Sequence, residues 1–115
     1  MTPDALRDLV VDVLEEYKAT DIVALKVTDV TVITDYMVIA SGTSSRHVGS
    51  LADRLVQEAK ERRLDINGVE GQQSAEWVLL DLGDVLVHLM QRETRSFYDL
   101  ERLWGDLPTD TETQV

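Results

Sequence analysis

The sequence predicts an α/β protein with a mixed sheet of about five strands, two main helices and a short C-terminal helix. Three observations predict this class. Two segments repeat apolar residues every three or four positions, as amphipathic helices do. Short runs rich in Val, Ile and Leu occur between and after these segments, as strands do. The length of 115 residues suits one domain with its own core.

A helix and two paired strands open the predicted fold. Thr2-Pro3 is typical of an N-cap and a first helical position, so a helix is predicted over residues 3–18. Strands are predicted over residues 22–28 and 36–41. The turn residues Thr34-Asp35 between them indicate that the two strands pair as neighbours. The second strand is almost continuously apolar, which indicates burial on both faces.

The second helix follows Gly42-Thr43-Ser44-Ser45, which ends the second strand. Its C-terminal end carries basic residues beside the negative end of the helix dipole. A short strand is predicted over residues 65–70. Strand, helix and strand in this order predict a right-handed crossover unit.

A hairpin of two strands, residues 77–82 and 85–90, is predicted around Gly83-Asp84. With a two-residue turn, residues whose numbers sum to 167 face each other. One face of the hairpin is then wholly apolar and belongs to the core. The opposite face is also largely apolar and holds the pairs Asp81/Leu86, Leu79/His88 and Trp77/Met90.

This second hairpin face needs a cover or a partner, because large exposed apolar patches mark interaction sites. One interpretation leaves the face free for a partner, with Trp77 as an anchor. The other folds the aromatic residues Phe97, Tyr98 and Trp104 back over it. Thr94 is predicted to cap the last helix that carries these residues. The domain is predicted to span residues 1–106, and residues 107–115 to form an acidic flexible tail.

The net charge of −11 limits the classes of partner. An acidic surface repels phosphate groups, so neither direct nucleic-acid binding nor an anionic membrane surface is expected. The charge favours a basic partner, although solubility alone also accounts for it. The N-terminus lacks the pattern of a signal peptide, and no apolar run approaches the roughly 20 residues that span a bilayer. A cytoplasmic protein is expected.

Residues for catalysis or metal binding do not come together in the sequence. Cysteine is absent, which excludes thiolate chemistry. Residues 42–46 at the start of the second helix resemble a phosphate-binding turn, but Gly-x-x-x-x-Gly-Lys and Gly-x-Gly-x-x-Gly are both missing. No Asp-x-Asp pair lies on a strand to hold magnesium, and His47 and His88 lie in no metal-binding motif. We expect no catalytic residue, no cofactor and no metal.

Several long blocks resemble the ribosomal silencing factor family, also called Iojap-like. They follow one another in the family's order within residues 3–106 and comprise residues 21–25, 35–48, 68–71, 77–88 and 95–104. The resemblance implies a nucleotidyltransferase-like α/β fold without the catalytic carboxylates. It also implies binding to the large ribosomal subunit through large-subunit ribosomal protein fourteen, a basic protein on the intersubunit face. Occupying that surface blocks joining of the small subunit and represses translation when nutrients are scarce. Family members are often homodimers when free.

These implications, together with the hairpin, give a set of predicted partner-binding residues. We expect the apolar residues of this set to make apolar contacts and its acidic residues to form ion pairs with basic residues of the partner. The set is Trp77, Leu79, Asp81, Asp84, Leu86, His88, Met90, Tyr98, Asp99 and Glu101. Two alternatives remain open at this point. One is a nucleotide- or phosphate-binding enzyme that uses Gly42 to Arg46, and the other is an adaptor for a different basic protein.

Overall fold

A computed structural model describes the backbone of residues 1–98 and the side chains of residues 1–95. Asp99, Glu101, Trp104 and the predicted tail therefore lie outside the described residues, as does the side chain of Tyr98. The described elements are α1 (Pro3–Glu16), β1 (Thr20–Lys26), β2 (Tyr36–Gly42), α2 (Ser45–Glu61), β3 (Gly68–Glu70), β4 (Trp77–Asp81), β5 (Val85–Gln91) and α3 (Arg92–Tyr98). The predicted α/β class is confirmed.

The five strands form one mixed sheet in the order β1-β2-β5-β4-β3. Strands β2 and β5 pair in parallel, and the other neighbours pair antiparallel. The predicted pairing of β1 with β2 is confirmed. All seven residues of β2 are buried, as its nearly continuous apolar sequence predicted.

The predicted crossover from β2 through α2 to β3 differs in one respect from the fold. Strand β3 does not lie beside β2, because β5 and β4 occupy the two positions between them. Strand β5 is apolar on both faces and takes the central place, where both faces are buried. Strand β3 has only three residues and lies at the edge, where short strands limit unwanted pairing.

Helices α1 and α2 both pack on the same face of the sheet and form the main core with it. This core contains the hairpin residues Val78, Leu80, Val85, Val87 and Leu89, none of which is exposed. The predicted core face of the hairpin is therefore confirmed. A smaller cluster lies on the opposite face and consists of Val23, Leu25, Val27, Met37, Ile39 and Met90, with Trp77 and Leu86 packed against it.

Helix α1 has a capping hydrogen bond at its start and a left-handed residue after its end. Helix α1 begins as predicted, with Thr2 Oγ1 accepting a hydrogen bond from Ala5 N at 3.1 Å. It ends at Glu16, two residues earlier than expected, because Lys18 adopts a left-handed conformation with φ 66°. Ala19 N then donates to Leu14 O at 2.9 Å, which closes a Schellman motif.

Helix α3 begins at Arg92, directly after β5. The prediction that Thr94 caps this helix is therefore wrong, since Thr94 lies within it. The strand ladder extends further than expected, because Gln91 N donates to Glu76 O at 3.0 Å and Gln91 Nε2 to Ala75 O at 3.3 Å. Gln91, the last residue of β5, therefore directly precedes the helix and occupies the N-cap position.

Candidate partner-binding site

The hairpin of β4 and β5 has the predicted register. Trp77 pairs with Met90, Leu79 with His88, and Asp81 with Leu86. The turn is closed by Leu82 N, which donates to Val85 O at 3.0 Å. Gly83 has φ 83°, a conformation that glycine adopts without strain.

The second face of the hairpin is enclosed along the C-terminal half of β5 and open along β4 and at the turn. Met90 is 0% exposed and His88 is 7% exposed. Trp77, Leu79, Asp81 and Leu86 are half-buried, and Asp84 is exposed. These five side chains, along β4 and at the turn, can therefore meet another molecule, whereas Met90 and His88 offer it little or no surface in this conformation.

Helix α3 accounts for the enclosed end. Arg95 is buried, and its Nη1 donates to Ser41 Oγ at 2.9 Å. Ser41 pairs with Met90 in the sheet, so the Arg95 side chain lies against the second face beside Met90. The alternative in which Phe97, Tyr98 and Trp104 cover this face stays a prediction, because it concerns side chains outside the described residues. Phe97 and Trp104 lie outside the described side chains.

Two of the acidic residues predicted to meet a basic partner, Asp81 and Asp84, lie at the turn end. Asp81 Oδ1 accepts a hydrogen bond from Gly83 N at 2.9 Å, which fixes its carboxylate beside the turn. Asp84 O accepts from Asp35 N and from Tyr36 N, each at 3.0 Å, so Asp35 is brought to the same end of the sheet. Within the described residues, none of these three carboxylates forms an ion pair. Their negative charges therefore act together on the surroundings.

Trp77 and His88 form a hydrogen-bonded pair across the two strands. Trp77 Nε1 donates to His88 Nδ1 at 2.9 Å, and the ring centroids lie 5.8 Å apart with planes tilted by 43°. Burial lowers the pKa of His88 from 6.5 to about 4, because removal from water disfavours the charged imidazolium. The side chain is therefore neutral at pH 7. Its Nε2 is buried and has no hydrogen-bond partner among the described residues.

The start of α2 gives no support to the phosphate-binding alternative. Thr43 N donates to His47 Nδ1 at 2.9 Å, and His47 N donates to Ser44 Oγ at 3.0 Å. These backbone N–H groups are therefore already used within the loop. A Cβ at Gly42 would lie 2.7 Å from Val48 Cγ2, so the strand runs close against the helix. In the described part of the chain, no cluster of three or more potential metal ligands occurs.

His47 has a structural role in this arrangement. Because its Nδ1 accepts the Thr43 N–H, its Nε2 carries the proton and donates to Tyr17 O at 3.0 Å. Tyr17 is the C-cap of α1, so the imidazole joins the beginning of α2 to the end of α1.

One exposed apolar segment was missed by the sequence analysis. The connection between β1 and β2 exposes Val30, Val32 and Ile33, and the side chain of Val32 is fully exposed. In the sequence these residues look like a continuation of the neighbouring strands. The adjacent Thr31 and Thr34-Asp35 were the available signal for a loop, but turn residues do not reveal which way the apolar side chains between them point.

The fold and the site define a small α/β protein whose candidate site is a partly apolar, acid-edged sheet face suited to binding another macromolecule. The model of the family described as "Ribosomal silencing factor during starvation" matches residues 1–115. The ribosomal silencing factor RsfS of Halalkalibacterium halodurans is 39% identical over 109 residues, covering 95% of this chain and 93% of its own. The chain belongs to the ribosomal silencing factor family.

Two further relatives agree with this assignment. A crystal structure of a protein from Chromobacterium violaceum superposes with a TM-score of 0.89 at 41% identity, covering 91% of this chain and 88% of its own. A mouse protein named "Mitochondrial assembly of ribosomal large subunit protein 1" is 37% identical over 100 residues, covering 84% of this chain and 44% of its own. The resemblance to this family is thus confirmed, whereas the nucleotidyltransferase-like description stays a prediction. Among the described helices, none combines the length and apolar character needed to cross a membrane.

Proposed function

We propose that this protein binds the large ribosomal subunit through large-subunit ribosomal protein fourteen and thereby blocks joining of the small subunit. Translation then falls because fewer complete ribosomes form. Membership of the ribosomal silencing factor family supports a ribosomal target. The name of the mouse relative associates that protein with the large subunit.

One observation carries the assignment of the docking site. The open part of the second hairpin face presents half-buried Trp77, Leu79 and Leu86 beside the carboxylates of Asp81 and Asp84. Buried aromatic anchors dominate the energy of many interfaces, and surrounding charges select the partner. An apolar centre with an acidic edge suits a partner that is basic around an apolar patch.

The predicted site residues divide by their surroundings. Trp77, Leu79 and Leu86 are proposed to make the apolar contact. Asp81 and Asp84 are proposed to pair with lysines or arginines of the ribosomal protein. Met90 and His88 are enclosed, so we assign them to support this surface from below. Tyr98, Asp99 and Glu101 stay proposed contacts.

Co-sedimentation with purified large subunits tests the docking site. We expect Trp77→Ala and Asp81→Lys each to weaken binding about thirtyfold, since loss of an interface hot spot costs about 2 kcal/mol. Tyr17→Ala and Asp53→Lys are matched controls, because both residues are exposed and neither lies on the hairpin. Trp77→Ala and Asp81→Lys should also fail to inhibit joining of the two subunits in a light-scattering assay, whereas the two controls should inhibit it.

Undiminished binding by folded Trp77→Ala and Asp81→Lys proteins would overturn the site assignment. Binding of small subunits in place of large subunits would overturn the proposed function itself. A pull-down from lysate that recovers a basic protein other than ribosomal protein fourteen would identify the chain as an adaptor for that protein.

The free protein is proposed to be a homodimer that uses the same hairpin face. A variant that is monomeric by light scattering and binds large subunits at least as tightly as the parent supports this competition. A monomeric variant that binds large subunits more weakly than the parent would contradict this competition.

A further inference from the structure

The contact between Trp77 and His88 determines which ring nitrogen of His88 carries the proton. The indole Nε1 can only donate a hydrogen bond. His88 Nδ1, which lies 2.9 Å away, must therefore be the acceptor. In the neutral imidazole the proton then resides on Nε2, so one tautomer of His88 is selected by its neighbour.

That tautomer leaves a polar group without a partner. His88 Nε2 is buried and has no hydrogen-bond partner among the described residues. A buried N–H without an acceptor lowers stability. The two residues that flank His88 across the ladder are Ile39 on β2 and Leu79 on β4, so an apolar side chain would suit this position better. The histidine therefore has a stability cost that its packing does not explain.

Its one polar contact within the described residues is with Trp77. Trp77 is half-buried and lies where the proposed docking surface passes into the smaller apolar cluster. A tryptophan side chain that is held in its bound orientation before binding loses less conformational freedom on association.

We infer that His88 is a positioning residue, which holds the indole ring of Trp77 in the orientation that meets the basic partner and does not itself contact that partner. This inference rests on the proposed docking through Trp77. It changes the role of His88 from a predicted contact residue to a residue that acts through its neighbour.

The decisive variant is His88→Leu, which keeps an apolar side chain of similar bulk but removes the acceptor. Binding to large subunits should weaken about fivefold to tenfold, the effect expected from losing one hydrogen bond that orders an anchor. The thermal unfolding midpoint should not fall, because the buried unpartnered N–H is removed too. If His88 had only a structural role, His88→Leu would lower both the thermal unfolding midpoint and the affinity for large subunits.

His88→Asn is the rescue variant. The amide oxygen of asparagine lies near the position of the histidine Nδ1 and can accept the indole hydrogen bond. Its affinity for large subunits should stay within about threefold of the parent, because the acceptor is kept. Equal weakening in His88→Asn and His88→Leu would overturn the positioning role.

Nuclear magnetic resonance gives a readout that is independent of the ribosome. In the free parent protein, long-range proton–nitrogen correlations should show His88 with its proton on Nε2. The indole N–H signal that disappears in Trp77→Phe should move upfield in His88→Leu and return toward the parent position in His88→Asn. A proton on His88 Nδ1, or an indole N–H signal that has the same chemical shift in the parent, His88→Leu and His88→Asn, would overturn the inference.

A Trp77→Phe background separates this inference from the proposed function. Phenylalanine has no N–H, so adding His88→Leu should weaken binding no further. If Trp77→Ala binds as the parent does, the docking proposal fails. If Trp77→Ala is weakened and His88→Leu binds as the parent does, docking stands and the positioning role is overturned.

Discussion

At the scale of single residues, the two histidines show how surroundings assign roles to the same side chain. His47 has both ring nitrogens hydrogen-bonded, to Thr43 N and Tyr17 O. His88 is buried with one nitrogen bonded and the other unpartnered. His47 joins two helices, whereas His88 lies beneath the proposed docking surface beside Trp77. Sequence identified both positions but could not distinguish them, since the difference depends on residues up to 30 positions away.

The lowered pKa of His88 predicts a pH dependence of stability. Its folded-state pKa is about 4, against 6.5 in the unfolded chain. Between these values the unfolded chain binds more protons, so stability falls as the pH is lowered from 6.5 toward 4. We expect a loss of about 2 kcal/mol in the free energy of unfolding between pH 7 and pH 5.

Urea denaturation at the two pH values measures this loss. His88→Leu should remove it, because the variant has no group that titrates at this position. The parent and the variant should then differ most at pH 5. A parent protein that is equally stable at pH 5 and pH 7, with the same result for His88→Leu, would contradict the prediction.

Gly71 shows the same dependence on distant residues. It has φ 86°, and a Cβ there would lie 2.1 Å from Trp77 O. We expect Gly71→Ala to destabilise the protein by about 2 kcal/mol or more, through both the left-handed conformation and the clash. Gly68→Ala is the matched control, because nothing lies within 4 Å of its added Cβ. Chemical denaturation of both variants should show a loss for Gly71→Ala only.

At the scale of elements, the helix ends contain a strain that substitution can relieve. Lys18 after α1 and Arg63 after α2 adopt φ values of 66° and 58°. Both helices close with Schellman hydrogen bonds, from Ala19 N to Leu14 O and from Leu64 N to Ala59 O. Glycine is the usual residue at this position, because it lacks the Cβ that clashes in a left-handed conformation.

Lys18→Gly and Arg63→Gly should therefore each stabilise the protein by about 0.5–1 kcal/mol. Thermal unfolding should show two separate increases that add in the double variant, because the sites share no partner. Glu16→Gly, inside the last turn of α1, is the control and should destabilise the protein. No gain in either single variant would show that these positions are not strained.

The elements that sequence predicted well are those set by local chemistry. The hairpin register follows from the Gly83-Asp84 turn and from alternation along each strand. The start of α1 follows from Thr2 and Pro3. The first residue of β3 and the start of α3 were missed, because pairing with β4 and the hydrogen bonds of Gln91 decide them. Such tertiary contacts leave little trace in a local pattern.

The candidate site was predicted in part for the same reason. Alternation placed Trp77, His88 and Met90 on one face of the hairpin, as the structure does. It could not foresee that Met90 is enclosed, because Arg95 and the smaller apolar cluster cover that end from other elements. It also missed the exposed side chains of Val30, Val32 and Ile33. A pattern gives the face of a side chain, but its exposure depends on what packs there.

At the scale of the whole molecule, the net charge of −11 should influence how fast the protein meets its proposed basic partner. Attraction between opposite charges speeds association and is screened by salt, while apolar anchors mainly set dissociation. Stopped-flow association with large subunits should therefore slow about tenfold as salt rises from about 50 to 300 mM. Asp84→Lys should slow association at low salt, and Trp77→Ala should mainly speed dissociation. An association rate that is independent of salt would contradict the electrostatic contribution.

The central pairing of β2 with β5 also determines the order in which the chain can fold. Tyr36 pairs with Val85, about 50 residues later, so this pair closes a long loop and forms slowly. The hairpin of β4 and β5 needs only a two-residue turn and can form within microseconds. Until β2 and the helices pack against it, the hairpin is apolar on both faces. The surface proposed to recognise the ribosome is thus also the surface most exposed to aggregation during folding, and the acidic residues at its turn help keep it apart from other copies.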